Sequence, residues 1–246
     1  NLKFDAVLNN YSFSKENGMK MYTEITQNKY TSKFCDAQQY VRKILINSFY
    51  GISGSPHFGL YNPKNAMAIT IWGRVIIQFI SKAIEDHVKN SWHLQAKDLL
   101  PEYNIGEVKP VIGNVMVIDT DSNYVSLDEM ITACGLDLDL DGFREFADLV
   151  SDRFFKPMFT KELNEFFEGY GIENNTFNFK QEKTISQMFV CAKKKYAVQM
   201  IAKEGKIFKT PKIEVTGIEV VRTSTPIFCI KHIRAALEYL FEILYK

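Results

Sequence analysis

The sequence has few of the features that mark an exported, metal-stapled or membrane-bound chain. Its four cysteines, Cys35, Cys134, Cys191 and Cys229, are widely scattered. No paired spacing suggests zinc or a small disulfide framework, so a reducing compartment is expected. No apolar leader opens the chain, and charge breaks the apolar runs before they reach bilayer length, so nothing points to a membrane or to export. The first residue is Asn1 rather than Met, which suggests a processed, trimmed or partial product. Core material is plentiful: 46% hydrophobic residues, with 19 Phe, 12 Tyr and 2 Trp in 246 residues, exclude a disordered chain.

A dominant charge is also lacking, since the formal net charge is +1. The two signs are nevertheless segregated. From Asp119 to Tyr170 there are 13 acidic residues against Arg144, Arg153, Lys156 and Lys161, a net of −9. From Lys180 to Lys212 there are nine lysines against Glu182 and Glu204, a net of +7. An acidic edge beside a basic strip suits a protein that places metal on one side and a polyanion on the other, although solvated charge runs give the same asymmetry.

The chain is organised around Val115 to Leu127. Two apolar, β-favouring runs flank Asp119-Thr120-Asp121-Ser122, the pattern of a short hairpin with two carboxylates at its tip. If the extended geometry continues through the turn, alternation puts both carboxylates on one side, where like charges repel unless a cation sits between them. Hard oxygen ligands suit Mg²⁺, which takes one or two carboxylates and fills its remaining positions with water and phosphate. Asp and Ser are also common turn residues, so these four alone leave an ordinary turn open.

Residues 1–30 are polar and weakly periodic. Lys33 to Tyr50 is expected to be a helix, with Val41, Leu45 and Phe49 recurring every four residues beside Ile44 and Ser48, and with Gly51 at the C-cap. Lys43, Asn47 and Tyr50 share a second face, suited to gripping a phosphate and a base or sugar, or simply to being solvated. A loop from Ile52 to Tyr61 breaks this helix. Asn62-Pro63 starts a long helix to about Lys89, with Ile69, Trp72, Ile76, Phe79, Ile80 and Ala83 facing inward. Ser91 to Gly106 reads as connection. Gly142 to Lys156 and Thr160 to Phe167 read as amphipathic helices separated at Pro157.

Asp137, Asp139, Asp141 and Gly142 resemble the opening of a calcium loop, with Asp148 at its twelfth position. No long entering helix precedes them, the twelfth residue is not Glu, and Arg144 takes a position that is usually apolar. A connection in which Asp141 caps the next helix is preferred, with a calcium-responsive interaction protein as a rival.

Ile185 to Ala192 and Tyr196 to Ala202 form a hairpin around Lys193-Lys194-Lys195, and Glu204-Gly205 marks a second turn before Ile207-Phe208. Lysines with a tyrosine among them suit phosphates and a groove or sugar face, although three lysines often serve solubility alone. After Gly217, Thr225-Pro226 starts a final helix with Ile227, Ile230, Ile233, Leu237, Leu240 and Ile243 as a stripe that wants a further element to cover it.

Three of these segments, in this order, resemble the motifs of the family B DNA polymerases: Lys43-x3-Asn47-Ser48-x-Tyr50-Gly51, Asp119-Thr120-Asp121-Ser122 and Lys193-Lys194-Lys195-Tyr196. Leu45 to Gly51 and Asn65 to Thr70 are most similar to the replicative polymerases of T-even-type bacteriophages. The likeness runs from about residue 30 to about residue 235.

The resemblance implies that Asp121, with Asp119 beside it, forms a metal site for two Mg²⁺ ions. It implies that Lys43 meets the incoming deoxynucleoside triphosphate and protonates the leaving pyrophosphate, and that Asn47, Tyr50 and Gly51 line the nascent base pair. Lys193, Lys194, Lys195 and Tyr196 would hold primer-template DNA, and Glu182 would be an auxiliary carboxylate. The catalytic set is then Asp121, Asp119 and Lys43, and the chemistry is in-line attack of the primer 3′ hydroxyl on the α-phosphate.

Departures are equally informative. Val117-Ile118 stand where the family has Tyr-Gly, and Lys195 replaces an Arg, keeping the charge and losing the bidentate fork. The family's other metal-binding Asp lies in an Asp-x-x-Ser-Leu-Tyr-Pro segment, and no Tyr-Pro occurs in this chain. The expectation is therefore an α+β chain with a palm-type antiparallel sheet backed by helices. Residues 1–61 would be a fingers remnant, 62–222 palm and 223–246 the start of a truncated thumb. It would act in the cytoplasm of a host bacterium. Inactive by itself, it would need a second polypeptide that brings the upstream palm Asp, exonuclease and fingers segments. The rival from another class is a non-catalytic nucleic-acid-binding module derived from such a palm.

Overall fold

The computed structural model describes residues 15–113, 115–221 and 224–244. Residues 1–14 of the opening polar stretch and the palm–thumb boundary at 222/223 lie outside these residues. The architecture is α+β with antiparallel sheets, and the chain divides into two compact units, residues 1–72 and 73–246.

The first unit is built on α1 (Lys15–Ser53) and the opening turns of α2 (Pro63–Leu99). α1 starts far upstream of Lys33 and runs through Gly51, which is therefore an interior helical residue and not a cap. The helix ends where the Ser53 hydroxyl donates to the Tyr50 carbonyl at 2.7 Å and the Gly54 amide reaches the same carbonyl at 3.3 Å. The expected packed stripe is not packed: Val41, Ile44, Leu45 and Phe49 are all exposed. Ile44, Leu45 and Ile46 are consecutive, so 100° steps spread apolar side chains around the helix instead of gathering them on one face. Asn62 caps α2 as expected, its Oδ1 accepting from the Asn65 amide at 3.2 Å.

In the second unit α2 supplies the core. Ile76, Ile80, Ile84, Val88, Trp92 and Ala96 are buried at steps of four, so the helix continues past Lys89 to Leu99. Ser91 to Leu99, read as connection, keeps that period and stops at Pro101. Ile69, expected inward, is exposed. α2 is long and apolar enough to cross a membrane by length and composition, although Arg74 and Lys82 interrupt its apolar stretch as the sequence reading has it. In this unit its stripe is the centre of a packed core.

Trp92 meets Phe146 and Phe154 edge-on, at ring-centroid distances of 6.2 and 5.3 Å. After β1 (Val115–Asp119) and β2 (Ser122–Val125) come α3 (Asp128–Ala133), α4 (Leu140–Val150), which carries Phe146, and α5 (Lys156–Glu168), with Phe154 just before it. A π-helical turn, Ser151–Phe155, joins α4 to α5 without a break, so Pro157 does not separate two helices. It lies in the first turn of α5, directly after that π-helical turn. Asp139, not Asp141, caps α4, accepting from the Gly142 amide at 2.8 Å.

The second sheet is a meander of β3 (Lys183–Ala192), β4 (Lys195–Lys203) and β5 (Lys206–Thr216). Glu204 and Gly205 turn the second hairpin with φ of 48° and 75°, the double left-handed geometry of a type I′ turn. α6 (Ile227–Leu244) covers one face: Leu237 and Phe241 are buried with Ala197 and Val220, and Ile230 and Ile233 pack beside them. Ile227 and Ile243, expected in that stripe, are exposed. On β4, Tyr196, Val198 and Met200 form another cluster, against which Tyr124, Ile185, Met188 and Phe208 pack.

Candidate functional site

The acidic tip is held by its own turn chemistry. Asp119 pairs with Ser122, and the Asp121 amide donates to the Asp119 carbonyl at 2.7 Å, closing a γ-turn centred on Thr120. Thr120 has φ 59°, an unfavourable region for a β-branched residue, so strain is stored at the tip. Because the chain reverses here, extended geometry does not run through the turn. The two carboxylates consequently differ: Asp119 is half-buried with Val115 and Val117, whereas Asp121 is exposed.

Asp119 is fully engaged. The Tyr196 hydroxyl donates to Oδ2 at 2.7 Å, the Thr120 hydroxyl donates to Oδ1 at 3.1 Å, and Lys194 Nζ lies 3.8 Å from Oδ1. The Tyr196 hydrogen bond is the main cause that holds this carboxyl below its ordinary range; burial opposes it, and Thr120 and Lys194 add to it. Asp121 accepts only from the Ser122 hydroxyl, at 3.3 Å, and among the described residues it makes no ion pair.

The lysine turn meets the acidic turn directly. Lys194 turns the hairpin at φ 58°, and its ammonium donates to Thr120 Oγ1 at 3.2 Å. Lys193 is exposed, while Lys195 pairs with Glu219 at 3.8 Å. Gly217 holds the Lys194 turn from behind. It has φ 65°, and a Cβ added there would lie 1.8 Å from the Lys194 carbonyl oxygen, so only glycine permits this approach.

Tyr196 is buried, and its single proton goes to Asp119. The Tyr124 hydroxyl, 3.2 Å away, must therefore donate to Tyr196. The two rings meet edge-on at 5.5 Å. Burial, then the bonds to Tyr124 and Asp119, push the Tyr196 phenol far up, and burial also raises Tyr124. Tyr124 is the member of this network that sequence reasoning missed. The available signal was a tyrosine on β2 two residues beyond Ser122. Glu182 makes no described contact with Asp119 or Asp121; its carbonyl accepts from the Glu204 amide at 2.7 Å.

Lys43, Asn47, Tyr50 and Gly51 belong to the first unit and form their own constellation. All four are exposed on α1. Lys43 and Asn47 line a groove of about 520 Å³ with Gln38, Gln39, Arg42 and Ile46, whereas Tyr50 and Gly51 do not line it. Arg42 is thus a second cation in that groove, and neither it nor Lys43 has an ion pair among the described residues.

Two carboxylates across one turn, one of them uncommitted, are a donor set suited to a hard divalent cation. Among the described residues no third His, Cys, Asp or Glu joins them to form a group able to hold a metal ion.

Comparison with known proteins agrees with the resemblance. The sequence model described as DNA polymerase family B matches residues 14–245. The DNA-directed DNA polymerase of Enterobacteria phage T4 is 30% identical over 245 residues, covering 94% of this chain and 24% of that protein. The DNA-directed DNA polymerase of Escherichia phage RB69 is 28% identical over 201 residues, 76% of this chain and 20% of that protein. The DNA polymerase of Choristoneura biennis entomopoxvirus is 26% identical over 188 residues, 72% of this chain and 18% of that protein. The chain thus spans about a quarter or less of the length of the relatives it matches.

Proposed function

The chain belongs to DNA polymerase family B, and on that premise we propose that it supplies the nucleotide-binding helix, the metal hairpin and the primer-binding hairpin of a DNA-directed DNA polymerase. The observation that carries this reading is the Tyr196 hydroxyl on Asp119 at 2.7 Å. It joins the lysine turn to the acidic turn within one unit, so a nucleic-acid contact and a metal ligand share one edge.

In this reading Asp121, with its uncommitted carboxylate, is the principal metal ligand, and Asp119 shapes the site while tied to Tyr196. Bound Mg²⁺ would activate the attacking oxygen and neutralise the leaving one. Lys43 places positive charge on the triphosphate and provides a proton for the departing pyrophosphate, and Arg42 stands ready in the same groove. Asn47 and Tyr50 present an amide and a flat ring to the nascent base pair, and Gly51 leaves the backbone open to it. Lys193, Lys194 and Lys195 hold primer-template DNA by its phosphates and groove edge.

Among the described residues no carboxylate joins Asp119 and Asp121 to make a metal-holding group, so in this reading a further carboxylate from outside these 246 residues completes the site. It would come from the upstream palm segment, on a longer chain or on a second polypeptide. The setting is replication in the cytoplasm of an infected host cell. Primer extension tests this directly. The chain alone should extend poorly or not at all, and adding a polypeptide with the Asp-x-x-Ser-Leu-Tyr-Pro segment should restore synthesis. Extension by the lone chain would overturn the half-site. If Asp121→Ala left both DNA binding and any reconstituted synthesis untouched, the non-catalytic binding module would be favoured.

A further inference from the structure

Lys194 should serve the nucleic acid, yet its ammonium is turned onto the acidic tip. Nζ donates to Thr120 Oγ1 at 3.2 Å and lies 3.8 Å from Asp119 Oδ1. Thr120 closes the triangle by giving its own proton to that oxygen at 3.1 Å. The two partners differ in freedom. Asp119 is pinned by the buried Tyr196 and cannot follow a departing lysine, whereas the Lys194 side chain is 63% exposed at a turn tip and can swing away. A divalent ion at the turn would therefore compete for Asp119 with an ammonium from the same chain. A divalent ion on Asp119 and Asp121 cancels the charge that retains Lys194.

We propose that the acidic turn is a latch: Asp119 and Thr120 retain Lys194 until a divalent cation binds the turn, and the cation then frees Lys194 for nucleic acid, so that metal and nucleic acid bind with positive coupling. The nucleic-acid half rests on the function proposed above, whereas the exchange of cations does not require synthesis. Linkage makes the coupling reciprocal: nucleic acid that draws Lys194 away leaves the turn more receptive to metal. An exposed ion pair at this distance sets the size, about 2- to 5-fold in affinity.

The test is fluorescence anisotropy of a labelled primer-template duplex with the 246-residue chain, in Mg²⁺ or in EDTA at matched ionic strength. Mg²⁺ ordinarily weakens binding to DNA by competing for phosphates, so a rise has the opposite sign to general screening. The expected result is a rise of about 2- to 5-fold with Mg²⁺ in the wild type and none in Lys194→Ala. Thr120→Val alters no charge and should bind about twofold tighter than wild type in EDTA, with a smaller rise; Thr120→Ser should restore wild-type behaviour. Asp119→Asn should gain more affinity in EDTA than Asp121→Asn. Equal gains, or a Mg²⁺ rise that survives Lys194→Ala, would overturn the latch.

A second readout needs no DNA. Reductive ¹³C-methylation keeps each lysine charged, and Lys194→Arg identifies the Lys194 signal, which should move when Mg²⁺ is added. If that signal moves while the duplex fails to bind, the latch stands and the polymerase reading fails. If the duplex binds while the signal stays fixed, the latch fails and the polymerase reading stands.

Discussion

Replacing Tyr196 with Phe removes one oxygen and keeps the ring, so its cost isolates the joint between the two hairpins. The lost bond runs to a carboxylate, and bonds to charged groups contribute about 1.5–3 kcal/mol. Asp119 keeps Thr120 and Lys194 and is 16% exposed, which moves the expectation to the low end, about 1–2 kcal/mol at pH 7. The sign with pH follows from the direction of the shift. Asp119 is held below its ordinary value of 3.8, chiefly by Tyr196, so this bond stabilises the fold fully above about pH 4 and progressively less as the carboxyl takes up a proton. Urea unfolding followed by circular dichroism, in EDTA, should show the largest gap between wild type and Tyr196→Phe near neutral pH, narrowing below pH 3.8. Adding Tyr124→Phe should cost less on top of Tyr196→Phe than in the wild type, because the Tyr124 hydroxyl has by then lost its acceptor. A loss within about 0.3 kcal/mol of zero at pH 7, or a gap that is constant with pH, would refute the bond as the joint.

Gly217→Ala should destabilise by roughly 2–4 kcal/mol, since it adds left-handed strain and drives a Cβ into the Lys194 carbonyl; an unchanged urea midpoint would show that the turn does not rest on this glycine. Glu214→Gln tests the charge network beneath the sheet, where Lys183 and Lys203 both meet this carboxylate. Burial pushes Glu214 up, but the two lysines outweigh it and hold the group below its ordinary 4.5. Its stabilisation is therefore present above about pH 4.5 and disappears on acidification, so the variant should lose up to about 1 kcal/mol at pH 7 and draw closer to the wild type as the pH falls below 4.5. A variant whose deficit grew on acidification would reverse that sign.

What could be read in the sequence was what neighbours in the chain decide. Period-two runs around Asp119 and Lys194, and the Glu204-Gly205 turn, specify hairpins through local backbone preference, and Asn62-Pro63 specifies a helix start in the same way. The differences arose where two local signals compete or where a distant partner decides. Gly51 carries a cap signal, but the helix runs on to Ser53. Ser91 to Leu99 is polar enough for a loop until Phe146 and Phe154, more than fifty residues away, give Trp92 something to pack against. Either Asp139 or Asp141 could cap α4 by spacing, and the choice falls to the one whose carboxylate meets the Gly142 amide. The site follows the same rule. Asp119 and Asp121 look equivalent on the page, two residues apart with identical chemistry. They become different because the chain reverses between them and because Tyr196, 77 residues later, enters from another sheet and claims Asp119, leaving Asp121 to the solvent. A sequence can name the groups at a turn; their division of labour is set by which one a distant buried hydroxyl reaches first.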